Sequence, residues 1–355
     1  MSGVRRPIKA AIAAGVLAGF FVPEAARVEG TTILAPFFTA GMIYDDNIFS
    51  SSSRPEKDLF LRDTPGIQWT FRRPNLTIEG RYLFDAEFYG DHSQLDSYHA
   101  RQLASVGMQR FRDRFTTLSA GVTFAETLRP GDLVQATGLD LGRARSRAYS
   151  ASLGLEKRTS PTESWGAGYD YTLLMFGQEE NAGTHLLTGS WAREFGSFNS
   201  VTLRAGPRFF QGDIDPELSA SVERRLARGD LVLSYQHSRN PVPLQDVAVR
   251  TDAVILTASR QIRPSLRVWV SPSFLKNRRG DATANVYRMS LSLEYQMTRW
   301  LNLQVSDRYS TQEGSTSLSA SDQTIRHNML LISASMATQY RPHLSERHTH
   351  PGEDQ

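Results

Sequence analysis

The chain has 355 residues, no cysteine, 22% charged residues, a formal net charge of +3 and a mean hydropathy of -0.38. Without cysteine it forms neither disulfides nor thiolate sites, and so nearly neutral a balance lacks the strongly basic face of a nucleic-acid protein, so no nucleic-acid partner is expected. No apolar run approaches the ~20 residues that a membrane helix needs, which excludes a helical bundle.

Residues 1–26 read as a secretory signal peptide. Arg5, Arg6 and Lys9 precede the short apolar block "AAIAAGVLAGFFV", and the small residues Ala25 and Ala26 follow it. As a membrane anchor the block is too short to span.

From residue 31 to residue 340 the pattern has period two, with no stretch at helical spacing. The first segment lies in "FFTAGMIYDDNIFSSSSRPEK", where an apolar ribbon stops at Asp45, Asp46, Asn47 and four serines. Residues 76–89 set Leu76, Ile78, Tyr82, Phe84, Ala86 and Phe88 against Thr77, Glu79, Arg81, Asp85 and Glu87. Further along, Val201, Leu203, Ala205 and Phe209 oppose Thr202, Arg204 and Arg208. The clearest case is "NVYRMSLSLEYQM", with Tyr287, Met289, Leu291, Leu293, Tyr295 and Met297 on one face and Arg288, Ser290, Ser292, Glu294 and Gln296 on the other. Leu301, Leu303 and Val305 then oppose Asn302, Gln304 and Ser306.

The segments number about sixteen, within a bracket of 14–18, an even count inside the range of outer-membrane barrels. Their centres recur every ~20 residues, about twice the spacing expected of a soluble sandwich. The connections alternate. The odd ones, such as "NIFSSSSRPEK", "TLRPGDLVQATGLDLG", "QGDIDPE" and "KNRRGDATAN", are long, while the even ones, such as "RRPN", "QIRPS" and "MTRW", are short. The expected fold is therefore all-β: a transmembrane, up-and-down, antiparallel β-barrel over residues 31–340, with 341–355 a disordered periplasmic tail. A closed sheet is the only β structure that spans lipid, because an open edge leaves amides unpaired in hydrocarbon.

Alternation offers two sets of candidate residues. Charged side chains expected to face the lumen are Arg72, Arg81, Arg204, Arg208, Arg288 and Arg326, beside Glu79, Asp85, Glu87, Asp170, Glu223 and Glu294. They describe either a hydrated conduit or charges that pair across neighbouring strands and fill the interior. Aromatic residues near strand ends, expected at the membrane interfaces, are Tyr44, Trp69, Trp165, Trp191, Trp300 and Tyr340. Tyr89 and Trp269 are candidates by alternation for sugar platforms inside the lumen, or else belong to the rim. No catalytic residue is expected: His92 and Ser93, like His237 and Ser238, are adjacent in strand-like sequence and would point to opposite faces. No phosphate-binding glycine loop or zinc signature is present, so neither a cofactor nor a metal is expected.

The segments "AGMIYDDNIF", "DTPGIQWTFRRPNLTIEGRYLFDAEFY" and "LSLEYQMTRWLNLQVSDRYSTQ" resemble the β-barrel porin 2 (BBP2-type) outer-membrane proteins, some of which are associated with exopolysaccharide systems. The resemblance implies a barrel in the bacterial outer membrane that acts as a conduit for export of a polar polymer. The alternatives are a general diffusion porin for small hydrophilic solutes and a structural or lipid-modifying barrel. Implied partners are outer-membrane lipid and lipopolysaccharide, the barrel-assembly machinery and periplasmic polysaccharide-export components. Such barrels end on an aromatic assembly signal. Here that residue is Tyr340, followed by the tail "RPHLSERHTHPGEDQ".

Overall fold

The computed structural model describes residues 30–176, 181–242, 247–314 and 324–337. The expected signal peptide at 1–26, Tyr340 and the tail at 341–355 lie outside them.

The period-two segments form sixteen strands. The first eight are β1 (Thr31–Asp45), β2 (Asp58–Arg73), β3 (Leu76–Tyr89), β4 (Ser97–Phe111), β5 (Thr116–Thr127), β6 (Ser146–Ser160), β7 (Glu163–Phe176) and β8 (Ala182–Phe195). The second eight are β9 (Asn199–Phe210), β10 (Asp213–Leu226), β11 (Gly229–Val242), β12 (Val247–Arg263), β13 (Leu266–Arg279), β14 (Ala282–Gln296), β15 (Leu301–Gly314) and β16 (Thr324–Ala337). Each pairs antiparallel with its neighbours in sequence, and β16 pairs back onto β1 from Phe37↔Ala337 to Asp45↔Met329. The ring is closed, so every strand has a hydrogen-bonded neighbour on both sides, as a hydrocarbon environment requires.

Directly opposed residues share a face, so the register assigns inside and outside. Phe38, Met42 and Tyr44 on β1, and Tyr287, Met289, Leu291 and Leu293 on β14, all lie exposed on the outer face. A row of large exposed apolar side chains repeated around the whole ring is the belt of a barrel whose solvent is lipid. Opposite Leu291 and its neighbours, Ser290, Ser292 and Gln304 line the inner face. A barrel of this strand number is wide enough to hold water.

The two rims differ. Seven turns of two to four residues close one rim, while the other carries the longer segments 46–57, 90–96 and 128–145. By the asymmetry of such barrels the short-turn rim is periplasmic and the other external. The alternation is less strict than the sequence implies, because "QGDIDPE" and "KNRRGDATAN" are two-residue turns, at 211–212 and 280–281. Gln211 (φ 49°) and Gly212 (φ 89°) both take the left-handed conformation of a type I′ hairpin, and Gly280 (φ 54°) stands first in the other turn. Polarity at these sites marks the height at which the strands leave lipid. Beyond that height both faces meet water, so polar residues continue the ladder instead of ending it.

Candidate functional site

The segment 128–145 between β5 and β6 crosses the lumen instead of standing outside it. Its sequence explains this, because a solvated loop has no use for Leu133, Val134, Leu139 and Leu141. Val134 buries against Leu174, Phe176, Ala182 and Phe210 on β7, β8 and β9. Leu139, only 3% exposed, inserts among Val242, Val249, Ala253, Leu275, Ala284 and Val286 on β11 to β14. Two single 3-10 turns, Pro130–Asp132 and Gln135–Thr137, shape the segment, and Gly138 at φ 64° reverses it between the two apolar anchors.

Polar contacts fix its tip. Asn277 donates to the Thr137 carbonyl (2.8 Å) and Arg288 to the Gly138 carbonyl (2.9 Å). The Asp140 amide donates to Gln312 Oε1 (3.0 Å), and the Asp140 carboxylate accepts the Ser310 hydroxyl (2.9 Å). His327 bridges Asp140 (3.5 Å) and Asp45 (2.8 Å). Burial alone would raise the Asp140 carboxyl, but the hydrogen bond and charge of His327, the Ser310 hydroxyl and the Arg288 charge outweigh it and hold it below the usual carboxylate range.

The other end of the segment is held at Tyr89. Its hydroxyl donates to Glu87 Oε2 (2.7 Å) and accepts from Arg129 (3.0 Å) and Arg143 (2.6 Å), while its ring stacks on Phe60 at 4.5 Å. Glu87 also takes Arg62 at 2.6 Å. Burial would lower the Arg129 guanidinium, but Glu87 and Tyr89 outweigh it and raise it, so Arg129 is always charged. Above this knot, His92 bridges Asp58 (2.8 Å) and Glu56 (2.9 Å), joining the segments 90–96 and 46–57. Hydrogen bonds to those two carboxylates raise the imidazole above its ordinary value.

The sequence candidates fall as follows. Arg72 and Glu79, 3.9 Å apart, lie in the inward register near the periplasmic rim, as does Arg81, which stacks on Phe37 at 5.0 Å. Asp85 and Glu87 are buried inward, with Asp85 taking Arg101 (2.9 Å) and the Thr64 hydroxyl (2.8 Å). Asp170 pairs with Arg204 at 3.0 Å and Arg208 with Glu217 at 2.5 Å, all in the inward register. Glu223 meets Arg225 at 3.5 Å, and Glu294 accepts from Asn302. Arg288 reaches the crossing segment. Arg326 differs: it pairs with Thr311, which pairs with the outward Tyr287, so it sits on the outer face. Period-two counting loses its phase across the connection before β16, and pairing with β15 and β1 sets the phase instead.

The aromatic candidates Trp69, Trp165, Trp191 and Trp300 stand outward or in the turn at the short-turn rim, and Tyr44 stands outward at the opposite rim. Trp69 lies flat over Gly80, where a Cβ would come within 2.0 Å of its indole nitrogen. Trp165 and Trp191 pair at 6.4 Å, and the Trp191 indole donates to Glu163 (2.8 Å). Trp269 is inward between Ser259 and Ser292, with Arg267 over its ring at 5.6 Å.

Below the crossing segment lies a lumenal cavity of about 280 Å³. Arg62, Arg101 and Arg129 bound it on the side of β2, β4 and the segment, and Arg308 faces them from β15 beside Ser290, Ser292 and Ser306. It falls just under the ~300–1,000 Å³ of typical ligand pockets.

No family model and no curated protein matches the sequence. Solved structures do. OmpF of Salmonella typhi in complex with daunomycin aligns with a TM-score of 0.52 at 12% identity, over 86% of this chain and 97% of that one. OccAB4 of Acinetobacter baumannii aligns at 0.51 and 8% identity over 88% and 100%, and OccK9 (OpdG) of Pseudomonas aeruginosa at 0.51 and 10% over 86% and 98%. The chain has the outer-membrane porin fold. With its continuous lipid-facing belt, it is an integral β-barrel of the bacterial outer membrane.

Sequence reasoning missed Arg62, Arg101, Arg129, Arg143 and Arg308, and it read "TLRPGDLVQATGLDLG" only as a long connection, not as a segment that enters the lumen. The signal was present: a polar loop carrying four branched apolar residues needs something to bury them against.

Proposed function

We propose that the chain is a restricted pore for small hydrophilic solutes. The observation that carries this reading is the segment 128–145, anchored by two adjoining apolar clusters on β7 to β9 and on β11 to β14 and by Tyr89 on β3. The passage left is bounded by arginines, carboxylates and serines, which hydrogen-bond to solutes that shed part of their water on the way through. An extended polymer would have to displace the segment from both anchors.

Export of a polar polymer, in the manner implied by the resemblance to BBP2-type proteins, is the second reading. Trp269 supports it: an inward aromatic face beside Arg267, Ser259 and Ser292 is suited to stacking against a sugar ring. In that case periplasmic export components would supply the polymer and the driving force.

Swelling of liposomes that carry the purified barrel, in sugars of graded size, tests the first reading. Entry of monosaccharides with exclusion of longer oligosaccharides is expected. Exclusion of every sugar, together with a deletion strain that retains its polymer inside the cell, would replace it with the export reading.

A further inference from the structure

Resting on the pore reading, we infer that the lumenal cavity is a binding subsite for a small hydroxylated oxyanion, a sugar acid or sugar phosphate, with Arg308 as its cation. Three of the four cavity arginines already have carboxylates: Arg62 holds Glu87 at 2.6 Å, Arg101 holds Asp85 at 2.9 Å, and Arg129 approaches Glu87 at 3.6 Å. Asp132, the remaining cavity carboxylate on the segment, takes the Thr127 hydroxyl at 3.2 Å. Arg308 is exposed to the lumen and has no carboxylate partner among the described residues.

Its neighbourhood adds to the imbalance. Arg308 pairs in register with Ser290, and Arg288 stands two residues along the same inner face of β14. Arg288 spends a guanidinium nitrogen on the neutral Gly138 carbonyl and forms no ion pair among the described residues. The inner wall of β14 and β15 thus carries two neighbouring guanidinium groups, neither in a direct ion pair among the described residues; Asp140 and Asp132 act on Arg288 from a distance, and Arg308 is the cation left facing the cavity, which favours an anion over a metal cation. A guanidinium fork matches a carboxylate or phosphate with two parallel hydrogen bonds. Ser290, Ser292, Ser306 and Gln304 border the same cavity and offer partners for the hydroxyls of the same molecule. A neutral sugar would meet the serines and leave Arg308 unmatched; a bare halide would do the reverse.

The test uses the full-length barrel in planar bilayers. In a potassium chloride gradient the reversal potential should have the sign of anion preference. Glucuronate and glucose 6-phosphate should block the current while glucose does not, and the stronger blocker identifies the headgroup. Arg308→Gln should weaken block about tenfold, the low end for one lost charge-assisted contact, and shift the reversal potential toward cations. Arg228→Gln, in the periplasmic turn between β10 and β11, should change neither.

Equilibrium titration of glucuronate onto the detergent-solubilised barrel reads the site without a current, and the same preparation shows whether Arg308→Gln is folded. Binding that Arg308→Gln weakens, in a barrel that carries no current, would remove the pore reading and keep the subsite. A conducting barrel with cation preference that binds neither anion, or whose binding is indifferent to Arg308→Gln, would overturn the subsite.

Discussion

Leu139→Ala is the sharpest probe of the segment that crosses the lumen. Leu139 is 3% exposed and fills a socket of six apolar residues on the far wall. Leu→Ala in a core costs about 2–5 kcal/mol; here the low end applies, because lumen water can refill part of the space. A loss of ~2 kcal/mol raises the undocked fraction of the segment about 30-fold. The hydrogen bonds of Asn277, Arg288 and Asp140 remain, so docking stays the major state. Single-channel recording should therefore show an unchanged main current level with far more frequent brief excursions to a higher one. Leu141→Ala, which removes a half-buried side chain packed against the borders of both apolar clusters, should do less. A folded Leu139→Ala barrel whose excursions match wild type would refute the docked segment.

Other consequences separate the two faces and the two polar latches. Leu291→Arg, in the lipid belt, should cost about 2–4 kcal/mol in reversible unfolding from lipid, whereas Ser292→Arg on the lumen side should stay within roughly 0.5 kcal/mol; equal costs would mean that inside and outside are misassigned. Because the folded-state Asp140 carboxyl lies below its ordinary range, its hydrogen bond from Ser310 and its pair with His327 survive mild acid and are lost as pH falls through the depressed value, so channel excursions should rise in strong acid and not in mild acid. His92 is raised, so its bridge between the segments 90–96 and 46–57 is complete below the ordinary imidazole value and is lost as pH climbs through the raised one; proteolysis of those two segments should accelerate on the alkaline side and not on the acid side.

The barrel itself is legible in the sequence, because one side chain in two must meet lipid. Tyr287, Met289, Leu291 and Leu293 declare the outer face of β14 without help from any other strand. The site is less legible. Arg62, Arg101 and Arg308 are scattered over three strands far apart in the chain, and only closure of the ring brings them around one cavity. Arg326 shows the limit of counting by twos, since the phase of β16 is set by its partners across the seam and not by its own residues. The two-residue turns at 211–212 and 280–281 show another limit: polarity reports where lipid ends, not where a strand ends. The crossing segment was readable in principle, since Val134 and Leu139 in a polar loop ask for a wall, but nothing local says which wall.

The measurement that bears most directly on the central claim is the conductance of the purified barrel in planar bilayers, compared with a variant in which residues 128–145 are replaced by a short glycine-serine link. A water-filled barrel barred by its own inward segment predicts small, discrete steps for the native chain and markedly larger ones for the shortened chain. Identical steps from both, or none from either, would contradict it.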